Sequence, residues 1–148
     1  MRSTYRVLAY LVALGVVLQA GTIAFAWFSV LGEVDGGAVF DSNSEGNVGH
    51  MLHGMVGMMA IPLIALLLLI VSFFAKVAGG IKWAAITLGV AVLQVVLAIV
   101  AFGAPAIGAL HGINALVLAI VATRAARLVT EAAPAPVAST ATAETAPA

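Results

Sequence analysis

Hydrophobic positions fall along this chain in four long blocks, separated by short breaks rich in glycine or polar residues. The first block runs from residue 7 to about residue 31, roughly 25 residues or about 37 Å of helix, enough to cross a bilayer with some tilt. From 32 to about 47 the chain turns polar, carrying Glu33, Asp35, Asp41 and Glu45 among Gly, Ser and Asn, so this stretch must lie outside any hydrocarbon layer. A second block spans about 48 to 75 and carries Pro62 near its middle, where a missing N–H favours a kink. A short basic connection, 76–82, leads to a third block at about 83–102. Gly103, Ala104 and Pro105 make a tight turn, and a fourth block, about 106–123, is closed by Arg124 and Arg127. Residues 128–148 are rich in Ala, Pro and Thr with almost nothing to bury, which predicts a disordered tail. The pattern thus predicts an all-α integral membrane four-helix bundle over residues 7–127, preceded by a short terminus, 1–6, and containing one long loop, 32–47.

Composition agrees: 64% of residues are hydrophobic and 8% charged, far too apolar for a soluble domain of 148 residues. The absence of cysteine excludes disulfides, thiolate metal sites and thiol catalysis. Charge adds orientation. All six basic residues, Arg2, Arg6, Lys76, Lys82, Arg124 and Arg127, fall at breaks that a four-span topology puts on one side. The positive-inside rule makes that side cytoplasmic, with both termini there. The acidic loop is then outside, and a multi-pass protein of the inner (plasma) membrane is expected. Ala24-Phe25-Ala26 after a basic start resembles a signal-peptide cleavage site, but the apolar run continues through Trp27, Phe28, Val30 and Leu31, which favours retention as a span.

Within this frame the candidate chemistry is narrow. The chain has three histidines, and two of them recur in the same setting: Leu52-His53-Gly54 near the head of the second block and Leu110-His111-Gly112 near the head of the fourth. Each is preceded by a similar stretch, Leu14-Gly15-Val16-Val17-Leu18-Gln19 in the first block and Leu88-Gly89-Val90-Ala91-Val92-Leu93-Gln94 in the third. We read this as two tandem helical hairpins related by an axis along the membrane normal. Such an axis sets the second helix opposite the fourth. At about 1.5 Å per residue both histidines lie roughly 8–9 Å down their helices, so they face one another at matched depth near the outer end.

One intramembrane histidine is commonly an interhelical hydrogen-bond partner; a matched pair, each followed by glycine, points to ligation. Two axial imidazoles in an apolar bundle suit a haem iron, so His53 and His111 are the expected metal ligands of one haem b. Gly54, Gly57, Gly108 and Gly112, with Gly49, would leave clearance beside a macrocycle. His50, one turn before His53, is a candidate for a propionate contact or an alternative ligand; otherwise it is an exposed residue at a helix start. Gln19 and Gln94 read as interhelical hydrogen-bond partners, with Asn114 close to the His111 face. Copper is disfavoured because Met51, Met55, Met58 and Met59 fall about 80–180° from His53 around the helix. Zinc would need four ligands.

With His53 and His111 as its markers, the chain resembles one four-helix half of the haem A synthase family, over roughly residues 7–123. That resemblance implies a histidine pair from the second and fourth helices near the outer surface. The family's outer-loop cysteine pair is absent, and its glutamate one turn before the first histidine has no counterpart at Gly49 or His50. Haem binding rather than haem A synthesis is what the resemblance implies here. The chain also resembles small four-helix membrane proteins of high-GC bacteria.

The expected function is a b-type cytochrome-like membrane protein that exchanges electrons with a quinone or a partner protein, with no catalytic activity of its own assigned. The alternative is a non-catalytic structural or interaction subunit in a homo- or hetero-oligomer, in which the same histidines and glutamines form a hydrogen-bonded core. A small transporter gains little, since no acidic residue lies within a block. Nothing points to nucleic acid, and hydrolytic or nucleotide chemistry lacks its motifs.

Overall fold

A computed structural model describes residues 1–41 and 43–131 of the chain. Those residues form four long helices and no strand: α1 (Arg2–Asp35), α2 (Val48–Ala75), α3 (Gly80–Gly103) and α4 (Ile107–Glu131). Each is long and apolar enough to cross a membrane. Of the stretch expected to be a disordered tail, 128–131 is the last turn of α4, and 132–148 lies outside the described residues.

The helices outrun the apolar blocks at most of their ends, because a helix stops at a backbone signal and not where side chains become polar. α1 continues through Glu33 and Asp35 until Gly36 and Gly37, where Gly37 takes a positive φ of 97° and the chain turns away. The start of α2 is fixed by Asn47. Its side-chain oxygen accepts from the backbone N–H of Gly49 at 3.0 Å and of His50 at 3.3 Å, relieving unpaired donors of the first turn. The same side chain donates to the carbonyl of Ala26 on α1 at 2.9 Å, fixing the two helices at this level.

Pro62 acts one turn earlier than its own position. Residues Val56–Ala60 of α2 form a widened π turn, in which the N–H of Ile61 reaches the carbonyl of Val56. The irregularity expected from the proline is therefore absorbed as a π bulge just after His53; such bulges are frequent at functional sites.

The four helices pack as a ring: α1 and α3 each lie against both α2 and α4, leaving α2 and α4 across the diagonal. The core is built mainly from small side chains, with Ala9, Ala65, Ala84, Ala122, Ala125 and Ala126 all essentially buried. Large aliphatic and aromatic groups point outward, among them Phe28, Phe74 and Ile120. This inverts the pattern of a soluble bundle and suits close packing of helices in an apolar surrounding. At the basic end, the buried hydroxyl of Tyr5 donates to the carbonyl of Gly80 at 3.0 Å and Arg2 donates to the carbonyl of Lys76 at 3.1 Å. The start of α1 is thereby latched to the α2–α3 connection.

Candidate functional site: a histidine pair across the bundle

His53 on α2 and His111 on α4 meet across the diagonal, with ring centroids 6.2 Å apart and planes inclined at 66°. The sequence brings them together, but backbone geometry holds them. Nδ1 of His53 lies 3.1 Å from the carbonyl oxygen of Gln19 on α1, and Nδ1 of His111 lies 3.1 Å from the carbonyl oxygen of Gln94 on α3. A carbonyl only accepts, so Nδ1 carries the hydrogen in both rings, and each neutral imidazole presents its lone pair at Nε2. The two hairpins thus repeat one contact, a histidine on the backbone of the glutamine in the preceding helix.

Beyond that contact the halves diverge. The Gln94 amide donates to the carbonyl of His111 at 3.0 Å and to its Nε2 at 3.1 Å, while its oxygen accepts from the amide of Asn114 at 2.7 Å. Asn114 also donates to the carbonyl of Val90 at 3.1 Å. This chain of bonds fixes which way both amides point, and it leaves no hydrogen of the Gln94 amide unused. In the other half, Gln19 is only 8% exposed, yet its side chain makes no hydrogen bond among the described residues, and its Oε1 is buried without a partner. The cause is one residue: three positions after His111 stands Asn114, and three positions after His53 stands Val56.

The remaining expected site residues divide. Gly57 lies against Gln19, whose Oε1 would be 3.2 Å from a Cβ at that position. Gly54 and Gly112, directly after the histidines, have nothing within 4 Å of where a Cβ would stand, and Gly108 approaches only the Cβ of Ala101, at 4.0 Å. Gly49 serves helix packing: a Cβ there would lie 2.8 Å from the carbonyl of Thr22 and 3.0 Å from the Cα of Ala26. His50 is partly buried and packs edge-on against Trp27 at 5.3 Å, with its Nδ1 enclosed and unpaired. The methionines near His53 turn outward, Met55 and Met59 being 53% and 69% exposed.

Sequence reasoning named Gln94 as a hydrogen-bond partner and placed Asn114 near His111, but it missed the two carbonyls that anchor the rings. Backbone groups carry no residue-type signal, and only the repeated Gln–His offset hinted at them. The Gln19 side chain was expected to bond across the bundle, and it does not.

The ring separation, though not the aim of His111 Nε2, which lies against the Gln94 amide, matches that of two imidazoles on one metal ion. Metal–nitrogen bonds of about 2.0 Å, added to the short distance from each nitrogen to its ring centre, separate the centroids of two opposed ligands by about 6 Å. Among the described residues no group of three or more His, Cys, Asp or Glu comes together, so a site closed by four protein ligands is not formed. Comparison with protein-family models, with curated proteins and with solved structures finds no match for this chain.

Proposed function

We propose that the chain is a multi-pass membrane protein, built as two tandem hairpins with its basic end cytoplasmic, that holds one b-type haem between His53 and His111. The observation that carries this reading is the shared tautomer: both rings are tethered through Nδ1–H, so Nε2 is the nitrogen left for a metal in each, that of His111 being held by the Gln94 amide, and the ring centroids stand at a separation suited to one metal ion. When bound, the haem would supply one-electron redox chemistry near the acidic-loop end. The protein's part is to hold the two rings, to exclude water with its small-residue core, and to release the Gln94 amide from Nε2 of His111. With a single histidine pair near one end, transfer would go to a quinone or a partner protein on that side and not across the membrane.

The test is a reduced-minus-oxidised spectrum of the detergent-purified protein expressed with a haem precursor. A Soret and alpha band in wild type, lost or shifted in His53→Ala and His111→Ala, is the expected result. Colourless wild-type protein refutes it.

A second reading is favoured by one observation, the closed Gln94–His111–Asn114 network, which needs no cofactor. Under it the chain is a non-catalytic subunit or interaction protein with a polar core, similar to interhelical bonding in other membrane bundles. It expects His53→Gln and His111→Gln to be tolerated and the protein to co-purify with a larger membrane complex.

A further inference from the structure

At the basic end, α1 and α4 leave an open groove between them on the outer face of the bundle, with a volume of about 440 Å³. Val7, Leu11, Leu14 and Val17 line it from α1, and Ala119 and Thr123 from α4. The residues from 7 to 17 cover about 15 Å along the helix axis, close to half of an apolar layer about 30 Å thick.

The groove does not end in apolar surface. It runs into a second hollow lined by Ile120, Arg124 and Arg127, with Ala119 and Thr123 common to both. Arg124 is partly buried, with its guanidinium 5.9 Å from the centre of the Trp83 ring. Arg127, one turn on, is exposed and has no ion pair among the described residues. A hydrocarbon-lined slot one leaflet deep, capped by two guanidiniums, is complementary to an amphiphile with an apolar chain and an anionic head. We infer that this face is a binding site for an anionic phospholipid, one acyl chain in the α1–α4 groove and the phosphate at Arg127 and Arg124.

Charge complementarity selects this occupant over a second copy of the chain. Glu131 closes α4 at this end, but Glu33, Asp35, Asp41 and Glu45 lie at or beyond the opposite end of the bundle, so a parallel copy would present mainly basic residues here. The inference rests on the membrane placement proposed above and is independent of the haem.

The experiment is native mass spectrometry of the full chain in detergent, with phosphatidylglycerol or phosphatidylcholine of identical acyl chains added. Wild type is expected to retain phosphatidylglycerol in preference. Arg127→Gln is expected to lower that retention about fivefold, and Leu14→Trp, which fills the slot at an exposed position, to lower retention of both lipids. Lys82→Gln removes a basic residue of the same end outside the groove and is expected to change nothing. Equal retention of the two lipids, an equal loss in Lys82→Gln, no effect of Leu14→Trp, or a dimer that Leu14→Trp dissociates would each overturn the inference. A chain recovered in the soluble fraction without detergent would instead overturn the membrane placement, a result distinguishable from all of these.

Discussion

Replacing Gln94 by leucine separates two properties that a simple loss of structure would move together. The substitution removes three bonds of the His111 half: Gln94 to the His111 carbonyl at 3.0 Å, Gln94 to His111 Nε2 at 3.1 Å, and Asn114 to Gln94 Oε1 at 2.7 Å. At about 0.6 kcal/mol for an interhelical bond in a membrane bundle, the three together give a destabilisation of about 2 kcal/mol. The backbone carbonyl that holds Nδ1 of His111 is untouched, so the ring keeps its tautomer and aim. What disappears is the amide hydrogen competing for Nε2. Haem binding then no longer displaces that bond, and affinity should rise about three- to fivefold, the equivalent of about 0.6–1 kcal/mol. Stability is read from the haem-free protein by denaturant titration in mixed micelles followed by circular dichroism, and affinity from the Soret band on titration with haem. An affinity that falls with the stability would show the Gln94 amide to be a support for the ligand, and the competition argument would be wrong.

Other outcomes follow from single contacts. Gly49→Ala should destabilise by about 1–3 kcal/mol, because its Cβ would meet backbone of α1 that cannot move without parting the helices. Gly54→Ala, with nothing within 4 Å, should be neutral or stabilising by up to about 1 kcal/mol through helix propensity; paired thermal melts check the opposite signs. Tyr5→Phe removes the buried bond to the Gly80 carbonyl and should cost about 1 kcal/mol, with hydrogen exchange rising first around the α2–α3 connection. In the acidic loop, the backbone N–H of Asn43, then the Ser44 hydroxyl and the Asn43 side chain, hold the Asp41 carboxyl below its usual range. The bonds of Asp41 with Asn43 and Ser44 should therefore be fully formed above the ordinary carboxyl pKa and lost only as pH falls through the lower folded value. The Asn43 amide shift, followed by NMR from pH 6 to about pH 2, should move with a midpoint below that of an unfolded Asp; a midpoint at or above it contradicts the bonded geometry.

The helices and their order could be read from hydropathy alone, since four apolar blocks of membrane-spanning length leave little choice. Their ends could not, because glycine pairs and an N-cap terminate helices independently of apolarity, as at Gly36, Gly37 and Asn47. That His53 and His111 come together was legible from the repeated Leu-His-Gly and its spacing from Gln19 and Gln94. How they are held was not, since carbonyl anchors leave no mark on composition. The π turn was foreshadowed by Pro62, but its location upstream, between His53 and the proline, depends on where the helix best accommodates a missing donor. Gly49 shows the limit of reading glycine as clearance. The residue type says only that a side chain is unwanted, and here the reason is the close approach of α1.

The contrast between the two halves also weighs the two functional readings against each other. A core selected only for interhelical bonding gains nothing from a buried amide left idle, and an unsatisfied buried acceptor costs about 1–3 kcal/mol. In the His111 half that cost is avoided by Asn114, whose amide reaches Gln94 Oε1. In the His53 half Val56 takes the corresponding position, Gln19 Oε1 is left buried and unpaired, and Nε2 of His53 has no partner among the described residues. The half with the idle amide is also the half whose ring lone pair is not engaged by the protein. A scaffold role accounts for Gln94, His111 and Asn114 but gives no reason for an uncompensated polar group beside His53. A haem would bring Gln19 Oε1 no donor either; what the proposed ligand-binding role accounts for is the ring chemistry, with the imidazole of the first hairpin left available and that of the second to be released from the Gln94 amide.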